Sequence, residues 1–278
     1  MSVTLEIQDG TPWYLSPDIW TVPDDPLGTP GMPTSGSNCF LYARVRNNGT
    51  TAVNDAVVKF YWANPAVGFN RLTANFVGQS NVSLNPGQTE DVLCLAPWTP
   101  TFVNGGHECV LVEAFHPTQD PLPAAPDFNV PTDRHVAQRN LSVLPTMSGM
   151  FALSFEIHNA ERKAREFSIA WSQEKVASLK QLGRYLGNGV APDLKDGKIV
   201  HAGFSDERCP TRENIQRAQL ALGGVKVAPM GRSFATLIGA IEGDAALIHV
   251  TQRYREAVVG GLSILVLHAH QPKAEVSK

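Results

Sequence analysis

The first half of the chain is written in short alternating runs. In Asn38–Arg46, Cys39, Leu41, Ala43 and Val45 alternate with Phe40, Tyr42, Arg44 and Arg46, the period-2 pattern of a half-buried strand. Asn47-Asn48-Gly49 ends it with residues that tolerate positive φ. In Ala56–Trp62, Val58, Phe60 and Trp62 share one face and Lys59 and Tyr61 the other. Further strands are expected over Asp18–Val22, Arg71–Val77, Thr89–Leu95, His107–Phe115 and Val136–Val143, with a turn-rich loop at Pro23–Ser37 and a tight turn at Asn85-Pro86-Gly87. About seven short strands at this spacing predict a β-sandwich.

The second half changes style. Phe151–His158 and Arg165–Trp171 read as strands. Val176, Leu179, Leu182 and Leu186 then recur at helical steps, which predicts a helix over Gln173–Leu186 stopped by Gly187-Asn188-Gly189. A weaker helix is expected from Pro210-Thr211, with Ile215, Ala218 and Leu222 on one face and Gly223-Gly224 at its end. Strands resume over Val225–Ala228, Ser233–Ile241, Ala245–Gln252 and Val258–His268, and residues 271–278 read as a frayed tail. Gly260-Gly261 predicts a bulge or a close approach of backbone. The fold class expected is all-β: two tandem β-sandwich domains, residues 1–143 immunoglobulin-like and residues 150–270 β-rich with one or two short helical insertions. The linker expected is Leu144–Gly149.

Charge adds an asymmetry. The net charge is −3. Up to Val143 there are 13 Asp/Glu and 6 Lys/Arg, giving −7, whereas the remainder has 13 and 17, giving +4. The near-neutral whole gives no electrostatic case for nucleic acid. Basic residues cluster at Arg162, Lys163 and Arg165, and again at Arg253 and Arg255. An electrostatic contact is expected between the acidic half and the basic half, of another molecule or of the same chain. The opening MSVTLEIQDG has neither the basic nor the apolar stretch of a cleavable signal. The localisation expected is therefore open between the cytoplasm and export by another route. The longest apolar run, near Val258–Leu267, is too short and too glycine-broken for a membrane span.

Ser16-Pro17-Asp18-Ile19-Trp20, Arg44–Gly49, the aliphatic strand Ala56–Trp62, the Pro86-Gly87 turn and Trp98-Thr99-Pro100 together resemble a bacterial immunoglobulin-like module of the CARDB type, a cell-adhesion-related domain. The resemblance covers residues 16–143. It implies a seven-stranded sandwich with a scaffold or adhesion role and no shared catalytic residues.

Candidate chemistry is sparse. His268 and His270 lie at i and i+2 of a strand and present both imidazoles to one side, but no third metal ligand is evident, and surface histidines are the plainer reading. His107, Glu108, Cys109 and His116 bring a thiol near imidazoles without an oxyanion-hole loop. Cys39 and Cys109 on facing strands, with Trp62 between them in sequence, suggest the inter-sheet disulfide of immunoglobulin domains, although the parity of Cys109 is ambiguous and free thiols are preferred. Cys94 and Cys209 complete the cysteines, and no CxxC pair exists. Trp13, Trp20, Trp62 and Trp98 fall in the first half; stacking of Trp13 or Trp98 on a sugar is the alternative to core filling. Asp24, Asp25, Asp120 and Asp127 offer loop oxygens for calcium without EF-hand spacing. The sequons at Asn48, Asn81 and Asn140 read as chance. No cofactor and no catalytic or metal site is expected. The function expected is a non-enzymatic binding or assembly module of a bacterial complex, with a protein partner or self-association. The alternatives are an adhesin or glycan-binding protein, and an enzyme with an unrecognised site.

Overall fold

The computed structural model describes residues 2–33, 36–63, 66–67, 71, 74–100, 109–124, 128, 130–159, 161–176, 194–205 and 220–268. Nearly all of the regular structure among them is strand. In the first half these are β1 (Leu5–Glu6), β2 (Ile19–Pro23), β3 (Cys39–Asn47), β4 (Val53–Ala63), β5 (Ala66–Val67), β6 (Asn75–Leu84), β7 (Thr89–Leu93), β8 (Cys109–Phe115) and β9 (Val136–Arg139). In the second they are β10 (Leu141–Thr146), β11 (Met150–His158), β12 (Arg165–Glu174), β13 (Lys198–Ser205), β14 (Ala221–Val227), β15 (Arg232–Glu242), β16 (Ala245–Tyr254) and β17 (Ala257–His268).

Four sheets result. In the first half, β3 is flanked on one side by β1 and β2 and on the other by β7, and it faces a sheet of order β6-β4-β8-β9. Assigning letters in chain order, strands A, B and E form one sheet and C′, C, F and G the other, the two-sheet division of an immunoglobulin-like sandwich. The alternation read in β3 is observed: Cys39, Leu41, Ala43 and Val45 are buried, and they pack with Val58, Phe60, Leu84 and Val112 of the facing sheet. Trp62 is partly buried and packs on this core.

The second half pairs a sheet of order β10-β17-β16-β12-β14 with one of order β13-β15-β11-β5. Phe155, Phe204, Ile248 and Ile264 are among the side chains closed between them. Two links tie the halves. The short strand β5 adds to β11. An apolar layer of Tyr14, Trp20, Val22, Leu141, Leu247 and Leu265 packs the outer face of the β2–β3 sheet on the outer face of the β16–β17 sheet.

Several expectations change. The single strand expected at Val136–Val143 is two strands. Arg139 ends β9 in the first half and Leu141 opens β10, which runs parallel to β17 in the second. Asn140 makes the transfer: its amide N–H donates to Tyr14 O, its carbonyl accepts from Ser263 N–H, and its side-chain Nδ2 donates to Gly261 O, each at 2.9 Å. Gln173 and Glu174, expected to open a helix, end β12 instead, with Glu174 opposite Leu247; residues 177–186 and the Gly187–Gly189 stop lie outside the described residues. Leu222, Gly223 and Gly224, expected to close the second helix, lie inside β14; its earlier residues, 210–219, are outside the description, as is the 271–278 tail. Strand β13 was not expected at all. At Gly260-Gly261 both anticipated features occur. The register shifts between Gln252 and Arg253 against Gly260 and Val258, and a Cβ on Gly261 would fall 2.2 Å from the Tyr14 ring.

Candidate protein-binding interface

The two basic clusters, some ninety positions apart in sequence, meet at one end of the second half. Antiparallel pairing of β12 with β16 sets Ser168 opposite Arg253, so the start of β12 lies beside the end of β16. Three connections converge there, through residues 159 and 161–164, 228–231 and 255–256. Asn159 ties the first two. Its buried side-chain Nδ2 lies within hydrogen-bonding distance of the carbonyls of Lys163 (2.8 Å), Ala228 (3.0 Å) and Val227 (3.2 Å), and its Oδ1 accepts from Glu161 N–H at 3.1 Å. Met230 N–H donates to Glu161 O at 2.9 Å.

Around this frame stand Arg162, Lys163, Arg165, Lys226, Arg253 and Arg255, with Glu161, Glu166 and Glu256 as the nearby exposed carboxylates. The Arg165 guanidinium sits 4.2 Å from the centroid of the Tyr254 ring, and the Arg255 guanidinium 5.3 Å from it, inside cation–π range. Arg165 also pairs with Glu161 at 3.1 Å. No ion pair to Arg162, Lys163, Arg253 or Arg255 occurs among the described residues. Met230 and Arg255 both adopt positive φ, 51° and 56°, uncommon for residues with a side chain. Met230 is 50% exposed. Beneath the end, buried Glu156 bonds His158 at 2.8 Å and Arg232 at 3.0 Å. Burial alone would raise its pKa, but the His158 bond and the Arg232 charge hold it below the usual carboxylate value.

A second polar constellation lies in the first half, where sequence reasoning noted only Asp120. Asp120 accepts Leu5 N–H at 2.6 Å, pairs with Arg134, and lies 3.1 Å from His135 Nε2. His135 Nδ1 is 2.7 Å from Asp133. Glu113 joins Arg71 (2.6 Å) to Tyr61 (2.8 Å). Burial pulls the His135 pKa down, but its two carboxylates raise it overall; Asp133 is correspondingly lowered by His135 against its own burial. These groups engage one another and tie Leu5, Asp120 and the Asp133–His135 segment together.

The other candidates separate. Cys39, Cys94 and Cys109 are free and buried. Cys39 lies in the inter-sheet core, whereas Cys109 shares the opposite face of its sheet with Tyr61 and Leu111. The parity left open is thereby decided, and the two thiols cannot join. Cys109 and His116 stand about 20 Å apart along an extended segment, and burial raises the Cys109 thiol well above its ordinary pKa. His116 Nδ1 instead caps the N–H groups of Thr118 and Gln119. Trp98 is 5% exposed, and Trp13 packs edge-on against Tyr14. Asp25 caps its own loop through Leu27 N–H at 2.9 Å. Asn140 is buried, so its sequon is inaccessible in the fold. His268 ends β17 with Nδ1 3.3 Å from Gly243 O. His107, Glu108, Asp127, Cys209 and His270 lie outside the described residues. Among those described, no group of three His, Cys, Asp or Glu side chains is arranged to hold a metal, and no helix is long and apolar enough to cross a membrane.

No family model matches the chain, and no curated protein matches it. Solved structures match weakly. Red sea bream transglutaminase aligns at 9% identity over 91% of this chain and 32% of its own, with a TM-score of 0.24. The calcium-binding domain CBD12 of CALX1.1 aligns at 14% over 77% and 75%, with a TM-score of 0.20. Escherichia coli alpha-2-macroglobulin activated by porcine elastase aligns at 10% over 91% and 22%, with a TM-score of 0.26. The chain thus spans about a third of the transglutaminase and less of the macroglobulin.

Proposed function

We propose that this chain is a non-enzymatic binding or assembly module. It is built as two tandem sandwich domains, the first of the CARDB type, and it uses the basic end of the second to hold an acidic protein partner. The observation that carries this reading is the convergence of Arg162, Lys163, Arg165, Arg253 and Arg255 on one frame, with four of these side chains in no ion pair among the described residues. Exposed guanidiniums gathered in this way attract carboxylates and speed encounter more than they add affinity. Arginine also suits the role because its fork binds carboxylate in two places.

The probe is fluorescent polyglutamate, followed by anisotropy. Wild type should bind it, and more weakly as salt rises. Arg253→Glu/Arg255→Glu should weaken binding at least about tenfold, with the unfolding midpoint unchanged. Equal binding by wild type and variant would overturn the reading.

A further inference from the structure

We infer that the acidic partner of the basic end is a second copy of the same chain, which presents the loop Asp24–Gly28 between β2 and β3. The inference rests on the reading above and adds the identity of the partner.

The loop matches the end in charge and shape. Asp24 and Asp25 are exposed side by side, and Leu27 beyond them is 89% exposed, the most exposed of the large apolar side chains described. The loop is held rather than loose. Asp24 N–H donates to Asn38 O at 2.9 Å, Gly28 N–H to Asp25 O at 2.9 Å, and the Tyr42 hydroxyl to Pro26 O at 2.8 Å. An ordered projection of two carboxylates and one leucine loses little entropy on docking. The basic end offers it Arg162, Arg253 and Arg255, in no ion pair among the described residues, and exposed Met230.

The geometry of one chain keeps the loop from its own basic end. Val22, Met32 and Phe40 around the loop belong to the same apolar cluster as Val176, Ala245 and Leu267. Those residues lie at the far ends of β12, β16 and β17 from Arg165, Tyr254 and Arg255. Nine residue steps of β16 separate Ala245 from Tyr254, about 30 Å of strand. The loop of one copy therefore meets the end of another head to tail. Such a heterologous contact closes into a ring or extends as a filament. Within the chain the halves meet through an apolar cluster, and Asp24, Asp25, Arg253 and Arg255 are exposed outside it.

Sedimentation velocity across a concentration series tests this. At low salt wild type should associate. In about 1 M salt, where screening acts over about 3 Å, it should be monomeric. Asp24→Asn/Asp25→Lys should reduce association at least about tenfold, asparagine being chosen because it tolerates the positive φ of 62° at position 24. Leu27→Ser, which leaves the loop's backbone bonds in place, should also reduce it. The loop variant should still bind polyglutamate, and its mixture with Arg253→Glu/Arg255→Glu should associate although neither does alone. A wild type that stays monomeric at low salt and the highest soluble concentration would overturn the inference, as would association insensitive to the loop variants. Polyglutamate binding would survive either result, so this failure and that of the underlying reading are distinguishable.

Discussion

Asp9 keeps one carboxylate oxygen buried without a hydrogen-bond donor. Burial first, then the nearby charges of Glu6 and Asp133, raise its pKa from 3.8 to about 7. A folded-state pKa above the unfolded one means that the native state binds the proton more tightly. Stability is therefore lost as pH rises from about 4 towards 7. Asp9→Asn should unfold at a higher temperature than wild type at pH 8 and at the same temperature near pH 4; equal midpoints at pH 8 would contradict this. Trp62, partly exposed at the edge of the core, tests packing. Trp62→Ala should cost about 3 kcal/mol in chemical denaturation, the low end for a large aromatic. At this scale the sequence was informative where a residue's role follows from alternation, as for Cys39, Leu41 and Phe60. It was silent on Asp9, His135 and Arg71, whose neighbours Asp133, Asp120 and Glu113 are set by loop conformation and sheet pairing rather than by any local alternation.

Among the elements, strands with clean alternation were legible to within one or two residues, as β3 and β11 show. Those that failed lacked that signal. Nothing in the continuous run Val136–Val143 marks that Asn140 passes the chain from one sheet to another, since the transfer is fixed by its bonds to Tyr14, Gly261 and Ser263. Leu222, Gly223 and Gly224 read as a helix end because their period is ambiguous; pairing with β12 made them a strand. The anticipated constraint at the β17 glycines gives an element-scale prediction. Gly261→Ala drives a methyl into the Tyr14 ring and should destabilise by about 1–3 kcal/mol. Gly223→Ala, which meets nothing within 4 Å, should leave the unfolding midpoint nearly unchanged. Equal effects of the two substitutions would mean that Tyr14 does not press on β17.

For the whole molecule, the charge asymmetry was visible in composition, but its use was not. Which bases stand together depends on the antiparallel register of β12 with β16, and which face joins the halves depends on Trp20, Leu247 and Leu265 lying outside the two cores. An electrostatic contact within one chain was one expectation; the contact described between the halves includes the apolar cluster around Trp20, Leu247 and Leu265. The clusters at Arg162–Arg165 and Arg253–Arg255 are left facing solvent, and the account turns on what they hold. The most direct test is an amide chemical-shift titration of the labelled protein with polyglutamate. The account predicts perturbations centred on residues 159–166, 226–232 and 253–257, fading as salt is added. Perturbations centred on any other face, or none at saturating peptide, would contradict it.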